Sequence, residues 1–239
     1  MIAGLSKAVT LYLAPVLALT AIVLSLLAFL APTLLLHDKV ALLTVVPSTA
    51  LLVEAGSSQA IDGPSVFIGV LGSCSRPNNA AGLTCTSASL SSQYNFTVLP
   101  SNAPDNLLSA PTASTPVFVA IAIAFSVLFF IAFTLISFRH KMGSKIAALL
   151  DRPLLPRASA WIGVFGFILG ITSFLILRMW FGKAVQDFNN SIAAQGHQGP
   201  ELIAAIGNAF TMVWVAYAFY AVPIISSLTK LNVTSAKQI

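Results

Sequence analysis

Between Lys7 and His37 the chain carries no charged side chain, and three further runs, over 116–138, 158–181 and 201–225, are as apolar. Crossing a hydrocarbon core takes about 20 apolar residues in a helix. Lipid offers no partner for unpaired backbone groups, so such runs fold as helices or not at all. The composition agrees, at 57% hydrophobic and only 8% charged, against roughly a quarter charged in soluble domains. The expected fold is therefore a membrane all-α four-helix transmembrane bundle. The first run is longer than the about 7–15 residues of a signal-peptide core, which predicts a retained span.

What lies between the spans is different in kind. Residues 40–46 (VALLTVV) are rich in β-branched residues, and 50–54 (ALLVE) read as their return. Residues 65–71 (SVFIGVL) and 93–99 (QYNFTVL) read as further strands, making a small extracellular β-sheet. Cys74 and Cys85 are the only cysteines and both lie here, beside an Asn95-Phe96-Thr97 sequon. A glycosylation acceptor and a cysteine pair point together to an oxidising compartment, hence a disulfide and a glycan at Asn95. Asn189 heads a second sequon, close to the membrane.

The organisation predicted is 1–36, N-terminus and first span; 37–115, extracellular β-rich loop; 116–138, second span; 139–157, cytoplasmic basic loop. It continues with 158–181, third span; 182–200, second extracellular loop; 201–225, fourth span; and 226–239, cytoplasmic tail. Orientation follows from the basic residues. Arg139, Lys141, Lys145, Arg152 and Arg157 face the single acid Asp151 in one short loop, placing that loop and both termini in the cytoplasm. The same cations suit anionic lipid headgroups, each contributing about 1 kcal/mol near the surface. The net charge of +5 is thus a matter of membrane topology, and no nucleic-acid partner is expected.

Within the spans, Gly163, Gly166 and Gly170 form a small-residue face on the third, open to one of the chain's own helices or to a partner subunit. Asn208 is expected to hydrogen-bond a neighbouring helix. No HExxH, GxSxG or Walker-type pattern is present, and no metal-ligand set can be assembled, so neither catalysis, a metal nor a cofactor is expected. The spans are uncharged except at their edges, which argues against transport.

The first intervening segment also carries FIGVLGSCSRPNNAAGLTC, in which Gly69, Gly72, Cys74 and Cys85 make a GxxGxC…C pattern. With four spans and a large first external loop, this resembles the claudin-like fold, and more narrowly the fungal SUR/PalI family of plasma-membrane tetraspan proteins. Leu71 stands where the claudin motif has tryptophan. The resemblance implies tight backbone turns at Gly69 and Gly72, and a plasma-membrane location. It further implies a non-enzymatic organiser of eisosome- or cell-wall-type membrane domains. Such a protein would partner with membrane lipids and with itself or a larger integral membrane complex, such as a pump, a synthase or a PalI-type pH-sensing assembly.

Overall fold

A computed structural model describes residues 12–48, 61–105, 114–150 and 152–236. The expected strand over 50–54 lies outside these residues. The protein is mostly helical, with one small antiparallel sheet and three helices long and apolar enough to cross a membrane. Two units divide the chain, a helical unit (residues 1–26, 118–172 and 213–239) and a sheet unit (27–117 and 173–212).

Helix α1 is Ala14–Leu30, α2 Ser114–Ser137, α3 Ser144–Leu150, α4 Leu154–Gln195 and α5 Ala209–Ala236. At 1.5 Å per residue the 23-residue apolar stretches in α2 and α5 reach about 35 Å, enough for a hydrocarbon core of about 30 Å. The described part of the first run is shorter, 17 helical residues. Short α3 lies within the basic stretch between α2 and α4.

In the helical unit, alanines, glycines and aromatics make the core. Phe129 packs on Phe133 and edge-on to Tyr220, each at 5.5 Å, and Phe167 meets Tyr217 at 5.7 Å. The glycine face of α4 is filled from within the chain. A Cβ on Gly163 would lie 2.7 Å from the Phe129 ring, on Gly166 3.0 Å from Phe125 Cβ, and on Gly170 1.7 Å from the Tyr217 hydroxyl. The outward faces are just as apolar: Trp161, Phe165 and Ile168 are all more than half exposed. An apolar exterior over an apolar core is what a lipid surround selects.

In the sheet unit, β1 is Leu43–Pro47, β2 Ser65–Ile68, β3 Ser73–Arg76, β4 Thr84–Cys85 and β5 Leu202–Ile206. Their order is β4-β3-β2-β1-β5, with every neighbouring pair antiparallel. Strand alternation puts Leu43, Val45, Val66, Ile68, Leu202 and Ala204 on one face, all buried. Phe67 and Cys74 point to the other, in a cluster with Ala41 and Leu83. Full burial of each large apolar side chain stabilises by about 1.5–3 kcal/mol. Buried Phe174, Leu177, Phe181, Phe188 and Ile192 form a helical stripe along the part of α4 in this unit.

Several expectations are corrected. Of the expected loop 182–200, residues 182–195 are helix: α4 continues to Gln195, helped by a Lys183–Asp187 ion pair one turn apart at 2.9 Å. The polar Asn189-Asn190 pair disguised the helical period of Phe181, Phe188 and Ile192. Residues 202–206 are not the start of the fourth span but strand β5, because a short apolar run takes whichever structure its neighbours offer, and β1 offers a ladder. Helix α5 begins at Ala209 and runs through Pro223 to Ala236, so 226–236 is helix. A lone proline is tolerated where packing holds the helix on both sides. Residues 93–99 are not a strand, since the Asn95 side chain closes on Thr97 instead. Strand β1 starts three residues later than expected and includes Pro47.

Candidate functional site

The GxxGxC…C segment runs from β2 through β3 to β4, the edge strand of the sheet. Ile68 opposes Ser73 across the β2–β3 hairpin, and residues 69–72 form its loop, closed by Gly69 N–H donating to the Gly72 carbonyl at 2.9 Å. A side chain at Gly69 would strike the Ala31 carbonyl at 2.1 Å, so this glycine permits backbone to lie against backbone. Gly72 has φ +156°, and a Cβ there would meet Thr86 Oγ1 at 2.4 Å.

The loop carbonyls fall outside the ladder, and the segment following β4 satisfies them. Tyr94 Oη donates to the Gly69 carbonyl at 3.1 Å, Ser92 Oγ donates to that of Val70, and Ser89 N–H donates to that of Leu71 at 3.0 Å. Asn95 N–H donates to Ser73 Oγ at 2.9 Å. The motif is therefore a hub that residues 86–97 wrap. Burial pushes the Tyr94 hydroxyl well above its ordinary ionisation range, against a smaller opposing effect of a hydrogen bond with Ser92.

Cys74 and Cys85 face one another across β3 and β4 and are joined in a disulfide. His37 Nδ1 lies 3.7 Å from Cys85 Sγ and 4.0 Å from Cys74 Sγ, with the Pro32 carbonyl 2.5 Å away. The three side chains come within 4.8 Å, a metal-like spacing. Cysteine binds metals as thiolate, and here both sulfurs are spent in the S–S bond, so the group is a packed disulfide. The place of His37 on the disulfide is a tertiary result.

Asn95 holds the turn that replaces the expected strand. Its Oδ1 accepts from Thr97 N–H at 3.0 Å and from Thr97 Oγ1 at 2.7 Å, a local closure that competes with ladder pairing. Asn189 has the opposite character. From α4 its carboxamide accepts Ala204 N–H and donates to the Ala204 carbonyl, both at 2.9 Å. The Asn208 side chain, just before α5, bonds the segment leading into β1 rather than a helix. It donates to the Lys39 carbonyl at 2.8 Å and accepts from Ala41 N–H at 3.4 Å. Only the run between Gly199 and Gly207, a short apolar stretch fenced by glycines, hints at this in the sequence.

Charged groups are scattered. Asp38 pairs with Lys39 at 3.2 Å, and that hydrogen bond lowers its ionisation below the usual carboxylate range. Asp62 accepts from Asn79 N–H at 2.7 Å. Arg178 lies over the Phe210 ring at 5.7 Å. In the helical unit, Lys141 lies over Phe138 and Lys230 over Phe133, at 5.9 and 5.7 Å. In comparisons with known proteins, no family model and no curated protein matches this chain.

Proposed function

We propose that this chain is a non-enzymatic plasma-membrane organiser, with a claudin-like four-span topology, a SUR/PalI-type ectodomain and cytoplasmic termini, that acts through lateral association. The observation that carries this reading is the contrast between interior and exterior of the helical unit. The buried polar groups described there are hydroxyls, among them those of Ser25, Ser126, Ser159, Ser227, Tyr217 and Tyr220, whereas ion pathways use charged groups. The large apolar groups Trp161, Phe165 and Ile168 instead face outward, available to lipid or to another protein's helix. A disulfide-locked sheet with its loop carbonyls already satisfied suits a rigid recognition surface rather than a reactive one. The basic residues between α2 and α4 add attraction to anionic lipid.

The test is isolation of tagged full-length protein from native membranes in a mild detergent, with sizing and mass analysis of what accompanies it. Ladders of self-complexes support the organiser. A stoichiometric larger membrane protein makes the chain an accessory or regulatory subunit of that complex. A lone monomer carrying a specific small molecule overturns both.

A further inference from the structure

The described residues of the helical unit border a small, partly enclosed cavity whose walls are unusually polar for a lipid-embedded core. It has a volume of about 10 Å³ and is lined by Ser25 of α1, Ser126 of α2, and Tyr217 and Tyr220 of α5, with room left by Ala21 and Ala216. All four hydroxyl side chains are more than nine-tenths buried. Such a volume matches about one water molecule, which needs two to four polar partners to reside in a protein interior.

The hydrogen-bond inventory points the same way. Tyr220 Oη is buried, has Ser126 as its nearest polar neighbour and makes no hydrogen bond of ordinary length among the described residues. Ser126 Oγ donates to the Ala122 carbonyl at 2.9 Å, leaving its lone pairs to accept. A phenol donor without an acceptor and a serine oxygen with spare acceptor capacity thus border one water-sized space. In water an unpaired phenol would find a solvent partner. Inside lipid no bulk solvent reaches it, and leaving it unpaired is costly.

We propose that a single water molecule is a resident ligand of this cavity. It accepts the Tyr220 O–H and donates its own two protons to Ser126 Oγ and Ser25 Oγ, so that one molecule joins α1, α2 and α5. The consequence is specificity of packing. Alanines line α1 here, at 18 and 21, and offer only weak, non-directional contact. A three-way hydrogen-bonded joint fixes the rotation and depth of that helix against its neighbours.

The decisive experiment uses full-length protein with labelled tyrosine and phenylalanine, reconstituted in lipid nanodiscs, and proton-detected magnetic resonance with magnetisation started on water. The expected result is transfer to the Tyr220 ring protons several-fold faster than to the ring of Phe129, which is buried beside it without a polar atom. Equal, negligible transfer to both rings means a dry cavity and overturns the proposal without any variant. Ser126→Val, which fills the space with methyl groups, should abolish the transfer to Tyr220. Undiminished transfer in a folded Ser126→Val protein also overturns it, because the water then reaches the ring from elsewhere. Should that variant not fold, Ser25→Ala serves instead, with slowed or lost transfer expected and unchanged transfer removing Ser25 from the joint.

Discussion

The side-chain amide of Asn189 occupies both backbone groups of Ala204, matching donor to acceptor and acceptor to donor at 2.9 Å each way. In effect a helix side chain supplies one residue of an additional strand to β5. The ladder with β1 uses the other edge of β5, so Asn189 covers what would be an open edge at its midpoint. Exposed edges invite pairing with other chains, and covering them is a common protection.

Asn189→Ala should leave both groups of Ala204 unpaired and destabilise the sheet unit by about 1–3 kcal/mol. Asn189→Asp keeps the acceptor for Ala204 N–H but cannot donate to the carbonyl, so its amide exchange should remain slower than in the alanine variant. Hydrogen exchange at Ala204 reads both. Unchanged exchange in Asn189→Ala would sink the edge-covering role.

The same contact bears on modification. A chain expressed through a eukaryotic secretory pathway should carry one N-glycan, on Asn95, removed equally by Asn95→Gln and Thr97→Ala. Asn189 should stay unmodified, because its amide nitrogen is committed to Ala204. A second mobility shift that disappears in Asn189→Gln would contradict this.

Cys74→Ser opens a short loop, the two cysteines being 11 residues apart. The expected loss is about 2–3 kcal/mol, falling on the sheet unit. Retention in the secretory pathway and faster exchange in β2 and β3 should accompany it, with α2 unaffected. Normal surface delivery would leave the disulfide without a structural role.

Gly170→Ala should overpack the helical unit at a cost of about 1–3 kcal/mol. The new methyl would meet both Tyr217 Oη and Cζ, at 1.7 and 2.6 Å. Removing the hydroxyl with Tyr217→Phe therefore relieves the clash only in part. Full recovery of thermal stability in the double variant would show that the ring has room to move aside.

Tyr94 predicts an alkaline limit on stability. Burial raises its ionisation above that of the unfolded chain, so the neutral, folded form keeps its full advantage below about pH 10 and loses it as pH rises further. Tyr94→Phe should flatten the fall above that pH, while losing about 1 kcal/mol at neutral pH with the bond to Gly69. An unaltered alkaline profile in the variant would assign the transition to another group.

Membrane character and the disulfide were legible in the residues themselves. A long uncharged run such as 116–138 has few folds open to it, because backbone groups in lipid must pair within their own segment. Cys74 and Cys85 had no other cysteine to choose. Near the sheet the local signal ran out. LIAAI at 202–206 is apolar enough for a span and short enough for a strand, and only pairing with β1, some 160 residues earlier in the chain, made it β5. QYNFTVL alternates like a strand, yet Asn95 closes on Thr97 within two residues and takes the backbone out of competition. Asn189 and Asn208 looked like a loop sequon and a helix contact, and they became backbone partners of β5 and of the segment leading into β1. Hydrophobicity acts along the chain at short range and can be read there. A strand edge or an amide's partner is settled by which distant backbone group arrives beside it, and that depends on the fold as a whole.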